Sequence, residues 1–158
     1  MQIPQPLKSG SKAPNLTFKE YGKEMHTEQI KSPYLVYFYP KDDTPGCTKQ
    51  ACGIRDNWSK FKSAGLRVIG ISKDSEESHE KFRRKFALPF SLIADTDLRL
   101  AQAFGVFGKK QFMGKTYNAV HRMSFLVDAE GTIIKTYLKV KSGEHAETVL
   151  KDFVQLKS

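Results

Sequence analysis

The sequence predicts an α/β fold in which a central mixed β-sheet is flanked by helices. Three observations predict it. Continuous apolar runs of strand length recur at YLVYFY (34–39), LRVIGIS (66–72) and FSLIAD (90–95). Stretches with apolar residues at three- and four-residue spacing separate them, the pattern of helices with one buried face. Near the C-terminus two strand-like runs follow one another directly before a last helix, so the sheet is mixed and not wholly parallel.

Taken in order, PNLTF (14–18) and MHTEQI (25–30) suit an N-terminal hairpin. YLVYFY stops at Pro40, as a buried strand does. CTKQACGIRDNWSKFKSAG (47–65) reads as one helix: Ala51, Ile54, Trp58 and Phe61 share a face, and Gly65 stands at the C-terminal cap. LRVIGIS is the second strand. DSEESHEKFRRKFA (74–87) is a helix with an acidic first turn and a basic last turn, matching the helix dipole. FSLIAD is a short strand, and DLRLAQAFG (97–105) a short helix closed by Gly105. Residues 106–121 read as a loop packed by its own aromatics. RMSFLVD (122–128), the turn AEG (129–131) and TIIKTYLKV (132–140) form a hairpin. GEHAETVLKDFVQL (143–156) is a closing amphipathic helix with Ala146, Val149, Leu150 and Phe153 on one side. A β-β hairpin followed by a final helix points to a thioredoxin-like fold. With no repeats or long linkers, residues 1–158 are expected to form a single domain.

Composition narrows the function classes. Hydrophobic residues make up 39% and aromatics 11% of 158 residues, enough for a packed core and against disorder. No apolar run approaches the roughly 20 residues that span a bilayer. MQIPQPLKSG lacks the apolar stretch of a secretory signal, so a cytoplasmic location is expected, with no membrane partner. The net charge of +9, from 26 basic and 17 acidic residues, raises nucleic acid as a partner. Yet KFRRKF (81–86) has Phe82 and Phe86 at helical spacing, which makes it an amphipathic helix with a solvated basic face. GKKQFMGK (108–115), with Phe107, Phe112 and Tyr117, reads as a self-packed segment. A general attraction to acidic partners fits better than a nucleic-acid function.

Both cysteines lie in YFYPKDDTPGCTKQACG (37–53). A close pair invites a disulfide, a metal site or a redox couple. Zinc needs about four ligands, and the histidines nearest in sequence are His26 and His79. Cys47 begins a helix beyond the carboxyl end of a strand, where α/β folds bind ligands. Free N–H groups and the helix dipole favour an anion there, and so a thiolate. Thr44 suits an N-cap; equally, its hydroxyl can hold a substrate oxygen against the sulfur. Pro40 and Pro45 stiffen the loop, and Gly46 permits close approach to the backbone. On an intact helix Cys47 and Cys52 differ by about 140° around the axis, with Cα atoms about 8.7 Å apart. A disulfide needs less than about 7 Å. Either the two never bond, or the first turn unwinds, which Gly53 eases by weakening the helix by about 1 kcal/mol. Otherwise Cys52 is a small buried residue.

Pro40, Thr44 and Cys47 fit P-x-x-x-T-x-x-C, and in this the chain resembles the peroxiredoxins. The longer YFYPKDDTPGCTKQAC is similar to the peroxiredoxin Q, or bacterioferritin comigratory protein, group. So are GSKAPNLTF (10–18), LPFSLIAD (88–95), FGKKQFMGKTYNAVHRMSFLVDAEG (107–131) and GEHAETVL (143–150). The resemblance implies a thioredoxin-like fold with a peroxiredoxin-type N-terminal extension, and a thiol-dependent peroxidase acting on hydrogen peroxide and organic hydroperoxides. It implies that Cys47 is the peroxidatic nucleophile and that Cys52 resolves its sulfenic acid as an intramolecular disulfide. Thr44 and Arg122 would position the peroxide, Pro40 would shield the pocket, and the N–H groups of Gly46 and Cys47 would help bind substrate. A thioredoxin- or glutaredoxin-type donor would re-reduce the disulfide. No flavin, haem or metal is implied. An internal resolving cysteine makes a monomer the expectation.

Gln50 stands where many relatives carry glutamate; its amide can hydrogen-bond Arg122 but brings no charge. His121, next to Arg122 on an expected strand, should point to the opposite face and be structural. Two other readings are a disulfide oxidoreductase, which the C-x₄-C spacing and Thr44 argue against, and an interaction module on the same fold.

Overall fold

The computed structural model describes residues 2–157, apart from the side chain of Lys157. Met1 and Ser158, the ends of the expected 1–158 unit, lie outside the described residues. Thr17–Glu20 (β1) and Lys23–His26 (β2) form the N-terminal hairpin. Its two turn residues, Tyr21 and Gly22, both have positive φ, the geometry that joins twisted strands tightly.

The central sheet has five strands, in the spatial order Ser91–Ala94 (β5), Arg67–Ser72 (β4), Tyr34–Phe38 (β3), Ser124–Val127 (β8) and Ile133–Tyr137 (β9). β3 occupies its middle. β4 runs parallel to β3, and β5 parallel to β4. β8 runs antiparallel to β3, and β9 antiparallel to β8. This is the mixed, thioredoxin-like sheet expected from the element order.

Every residue of β3 is buried because both faces of the sheet are covered. Alternate side chains enter opposite cores. Leu35 and Tyr37 pack with Ile54, Phe61, Phe82, Val149 and Phe153 under the helices. Tyr34, Val36 and Phe38 pack with Leu16, Phe18, Leu100, Phe104 and Phe125 on the other side.

The expected 47–65 helix is two helices, Pro45–Asp56 (α1) and Trp58–Ala64 (α2). Asn57 interrupts them: its amide donates to the Gly53 carbonyl at 2.8 Å, and its backbone leaves the helical range at ψ 16°. Side-chain amides compete with the helix in this way. Gly65 does cap the C-terminus, with φ 72°. Glu76–Phe86 (α3) starts at Ser75, whose Oγ accepts from Ser78 N. Arg99–Ala103 (α4) is held by the buried Asp95 carboxylate, which accepts from the N–H groups of Leu100 and Ala101.

The expected loop at 106–121 is a hairpin, Phe107–Phe112 (β6) and Lys115–Val120 (β7). Its turn, Met113-Gly114, again has two positive φ values. Much of the hairpin projects into solvent, so its strands carry little apolar alternation. His145–Lys157 (α5) closes the fold against α1. No helix among the described residues is long and apolar enough to cross a membrane.

Gly70 in β4 leaves room for the Tyr37 ring. A Cβ there would lie 2.8 Å from Leu92 Cδ2 and 3.0 Å from the Tyr37 hydroxyl. Gly70→Ala is expected to lower unfolding stability by roughly 1–3 kcal/mol, measured by urea denaturation, because a well-packed core resists added volume.

Candidate active site

The site forms where β3 ends. Continuing the Tyr37↔Ser124 register outward puts Arg122 opposite Tyr39, just before β8, and Phe38 N donates to the Met123 carbonyl at 2.8 Å. The chain then turns through Pro40–Asp43 into α1. Thr44 takes the N-cap position, Pro45 follows as the first helical residue, and Thr48 N makes the first closing bond, to the Thr44 carbonyl. The N–H groups of Gly46 and Cys47 lie in this first turn, ahead of any helical acceptor.

Cys47 is 1% exposed. Arg122 Nη2 donates to its Sγ at 3.2 Å, and Nη1 donates to Gln50 Oε1 at 2.6 Å. Gly46 is what lets the guanidinium in: a Cβ there would stand 3.1 Å from Arg122 Nη2. Four residues flagged by the sequence, Gly46, Cys47, Gln50 and Arg122, thus meet at one point. Thr44 does not cap α1 with its side chain. Its Oγ donates to the Lys41 carbonyl at 2.9 Å, which leaves the hydroxyl oxygen as an acceptor. Pro40 is half-buried in the same loop. Cys52 is half-buried further along the unbroken α1, and both cysteines are free thiols. His121 is turned elsewhere, toward the Lys109 carbonyl at 3.0 Å.

Two buried networks support the site, and sequence reasoning missed both. On one side Asp42 Oδ1 accepts from the Tyr39 hydroxyl at 2.6 Å. Its Oδ2 accepts from the Ser78 hydroxyl at 2.8 Å and from His79 Nδ1 at 2.7 Å. Burial alone would raise the Asp42 pKa, but the bonds from His79 and Tyr39, the His79 charge and the Ser78 bond together hold it below the usual carboxylate range. Asp42 N donates to Asp74 Oδ2, so the loop before α1 is tied to the start of the α3 segment.

On the other side His145 lies between Gln50 Nε2 (3.1 Å from Nδ1) and Ser124 Oγ (2.9 Å from Nε2). Burial first, and then the charge of Arg122, push its pKa down to about 4. The available signal was a polar residue four and eight positions before Val149 and Phe153, on a face that otherwise enters the core. No cluster of three or more histidine, cysteine or acidic side chains among the described residues is placed to hold a metal ion.

A thioredoxin-like sheet that presents a buried thiol to an arginine at a helix N-terminus defines a thiol-based redox enzyme. The chain belongs to the AhpC/TSA family, whose pattern matches residues 9–136. It is 45% identical to peroxiredoxin Bcp of Escherichia coli strain K12, over 92% of this chain and 94% of that protein. It is 43% identical to peroxiredoxin Bcp of Bacillus subtilis strain 168, with the same coverage. Among solved structures, peroxiredoxin Q of Xanthomonas campestris superposes with a TM-score of 0.82 at 32% identity, covering 90% of this chain and 92% of that one. Its enzyme class is therefore that of the peroxiredoxin-type peroxidases, and its two cysteines fit the two-cysteine form.

Between about pH 6.5 and 4 the unfolded chain takes up a proton that folded His145 refuses, so stability falls as pH falls through that window. The loss attributable to His145 is up to about 3 kcal/mol. Asp42 adds a further loss at lower pH, as its depressed carboxylate protonates. Urea denaturation at pH 7 and pH 4.5 should show the decline, and His145→Gln should flatten its upper part.

Proposed function

We propose that the chain reduces hydrogen peroxide and organic hydroperoxides through a sulfenic acid on Cys47, which Cys52 resolves as an intramolecular disulfide. The observation that carries this reading is the buried Cys47 thiol in direct contact with the Arg122 guanidinium at the start of α1. The Cys47 thiolate attacks one peroxide oxygen, the O–O bond breaks, and the departing oxygen takes a proton to leave as water or an alcohol. Negative charge develops on that oxygen. Arg122 and the Gly46 and Cys47 N–H groups are fixed donors at hand to stabilise it. Thr44, its own proton given to the Lys41 carbonyl, accepts the hydrogen of the incoming peroxide. Pro40 shields the pocket. Support for the organic substrates comes from the X. campestris bacterioferritin comigratory protein, which has alkyl peroxide reduction activity and trapped intermediate and ligand complexes.

Cys52 then attacks the Cys47 sulfur, a disulfide forms, and the sulfenic oxygen leaves as water. With both residues on α1, the first turns must unwind for this step. A thioredoxin- or glutaredoxin-type dithiol reduces the disulfide and becomes oxidised in turn. The protein acts as a monomeric single domain of residues 1–158, in the cytoplasm, without nucleic acid or membrane as partner.

One equivalent of hydrogen peroxide added to fully reduced protein should remove both free thiols and about 2 Da of mass, without dimer, by intact mass spectrometry. Cys52→Ala should instead gain about 16 Da in the first turnover, and Cys47→Ser should not react. A dimeric disulfide in place of the internal one would overturn the resolving step. Arg122→Lys is expected to slow peroxide consumption by about 100-fold in stopped-flow assays, because a lysine cannot serve the sulfur and Gln50 with one rigid fork.

A further inference from the structure

The bonds around Arg122 have a forced polarity. A guanidinium only donates, so the atom of Gln50 facing Nη1 is the amide oxygen. The Gln50 amide nitrogen therefore faces His145, and His145 Nδ1 must accept from it. Nε2 then carries the ring proton and donates to Ser124 Oγ. The chain of donors runs without a break from Gln50 through His145 to the floor of the sheet at β8. Gln50 is fully buried and His145 is 3% exposed, so neither can exchange these partners for water.

We infer that His145 is a positioning residue for the Cys47 site: its unprotonated Nδ1 locks the Gln50 amide with the oxygen toward Arg122, and it is the reason a glutamine stands at position 50. This rests on the peroxidase reading only where rates are concerned. A carboxylate at 50 would place a second acceptor against Nδ1, and the ring would have to make that nitrogen a donor, by changing tautomer or by taking a proton that the carboxylate's charge then stabilises. Protonation with Gln50 present has the opposite effect. An Nδ1–H would oppose the amide NH₂, and relieving that by an amide flip would turn the NH₂ group toward the guanidinium and release Arg122 from its anchor. The other ionisable groups facing the ring support the neutral form or leave it unanswered. Arg122 repels a proton. Tyr37 of β3 and Tyr137 of β9 meet it ring to ring, at centroid distances of 5.7 and 6.4 Å. Cys47 lies beyond Gln50 and Arg122, while Glu144 and Glu147 on its own segment are exposed to solvent.

Nitrogen-15 NMR of the histidine rings in the full chain tests this directly. The expected result is an Nε2–H tautomer for His145 that stays neutral down to about pH 5. In Gln50→Glu its midpoint should rise above about 6.5. His145→Leu should slow peroxide consumption by about tenfold or more with circular dichroism unchanged. His145→Gln, which again offers an acceptor to the Gln50 amide and a donor to Ser124, should recover most of that rate and show no His145-dependent limb in its acid pH profile. An Nδ1–H tautomer, an unmoved midpoint in Gln50→Glu, or a His145→Leu rate equal to the parent's would each overturn the inference. Should His145→Leu not fold, the tautomer and the Gln50→Glu titration decide. If the parent consumes no peroxide, the peroxidase reading fails and these two ring measurements still judge the role of His145.

Discussion

The structure depends on what a half-buried guanidinium requires. Arg122 has donors and no acceptors, and it is drawn from water against a thiol that is 1% exposed. Removing a charge from water costs several kcal/mol unless good acceptors replace the solvent. Gln50 supplies one such acceptor and the Cys47 sulfur the other. Gly46 makes the contact possible by carrying no side chain where Nη2 passes. Gln50 must be buried and correctly turned, which brings in His145 and Ser124 behind it.

The loop that leads into α1 is pinned from the opposite side. Asp42 accepts three side-chain bonds and ties the loop to α3, independently of Arg122. Between these two anchors stands a helical first turn that has few bonds of its own: Pro45 has no N–H, and Thr44 spends its hydroxyl on Lys41 rather than on a cap. Rigid supports around a weak turn suit the proposed cycle, in which the site is held for the attack on peroxide and then opens. The interruption at Asn57 makes α2 a separate helix, packed through Trp58 and Phe61.

Much of this was legible in the residues. Apolar runs of strand length marked β3, β4 and β5, and helical spacing marked α1, α3 and α5, because burial against two layers imposes those periods on any sequence. The stretch from Pro40 to Cys52 announced a thiol at a helix start, since proline and glycine carry their conformational tendencies with them. The β6–β7 hairpin was not legible, because strands in solvent need no apolar alternation. The break at Asn57 was hidden for a different reason: one side-chain amide, bonded to Gly53, overrode a continuous helical pattern.

Only the tertiary structure decided the partners. The antiparallel pairing of β8 with β3 carries Arg122 to Cys47 across 75 residues of chain, and the packing of α5 on α1 brings His145 to Gln50 across 95. The resemblance had matched the arginine of HRMSF to the site, but nothing local to GEHAETVL marks His145. A hydrogen bond between distant residues is chosen by strand register and helix packing, which set which side chains face one another. Sequence determined what each residue could do, as donor, acceptor or nucleophile; the fold determined to whom.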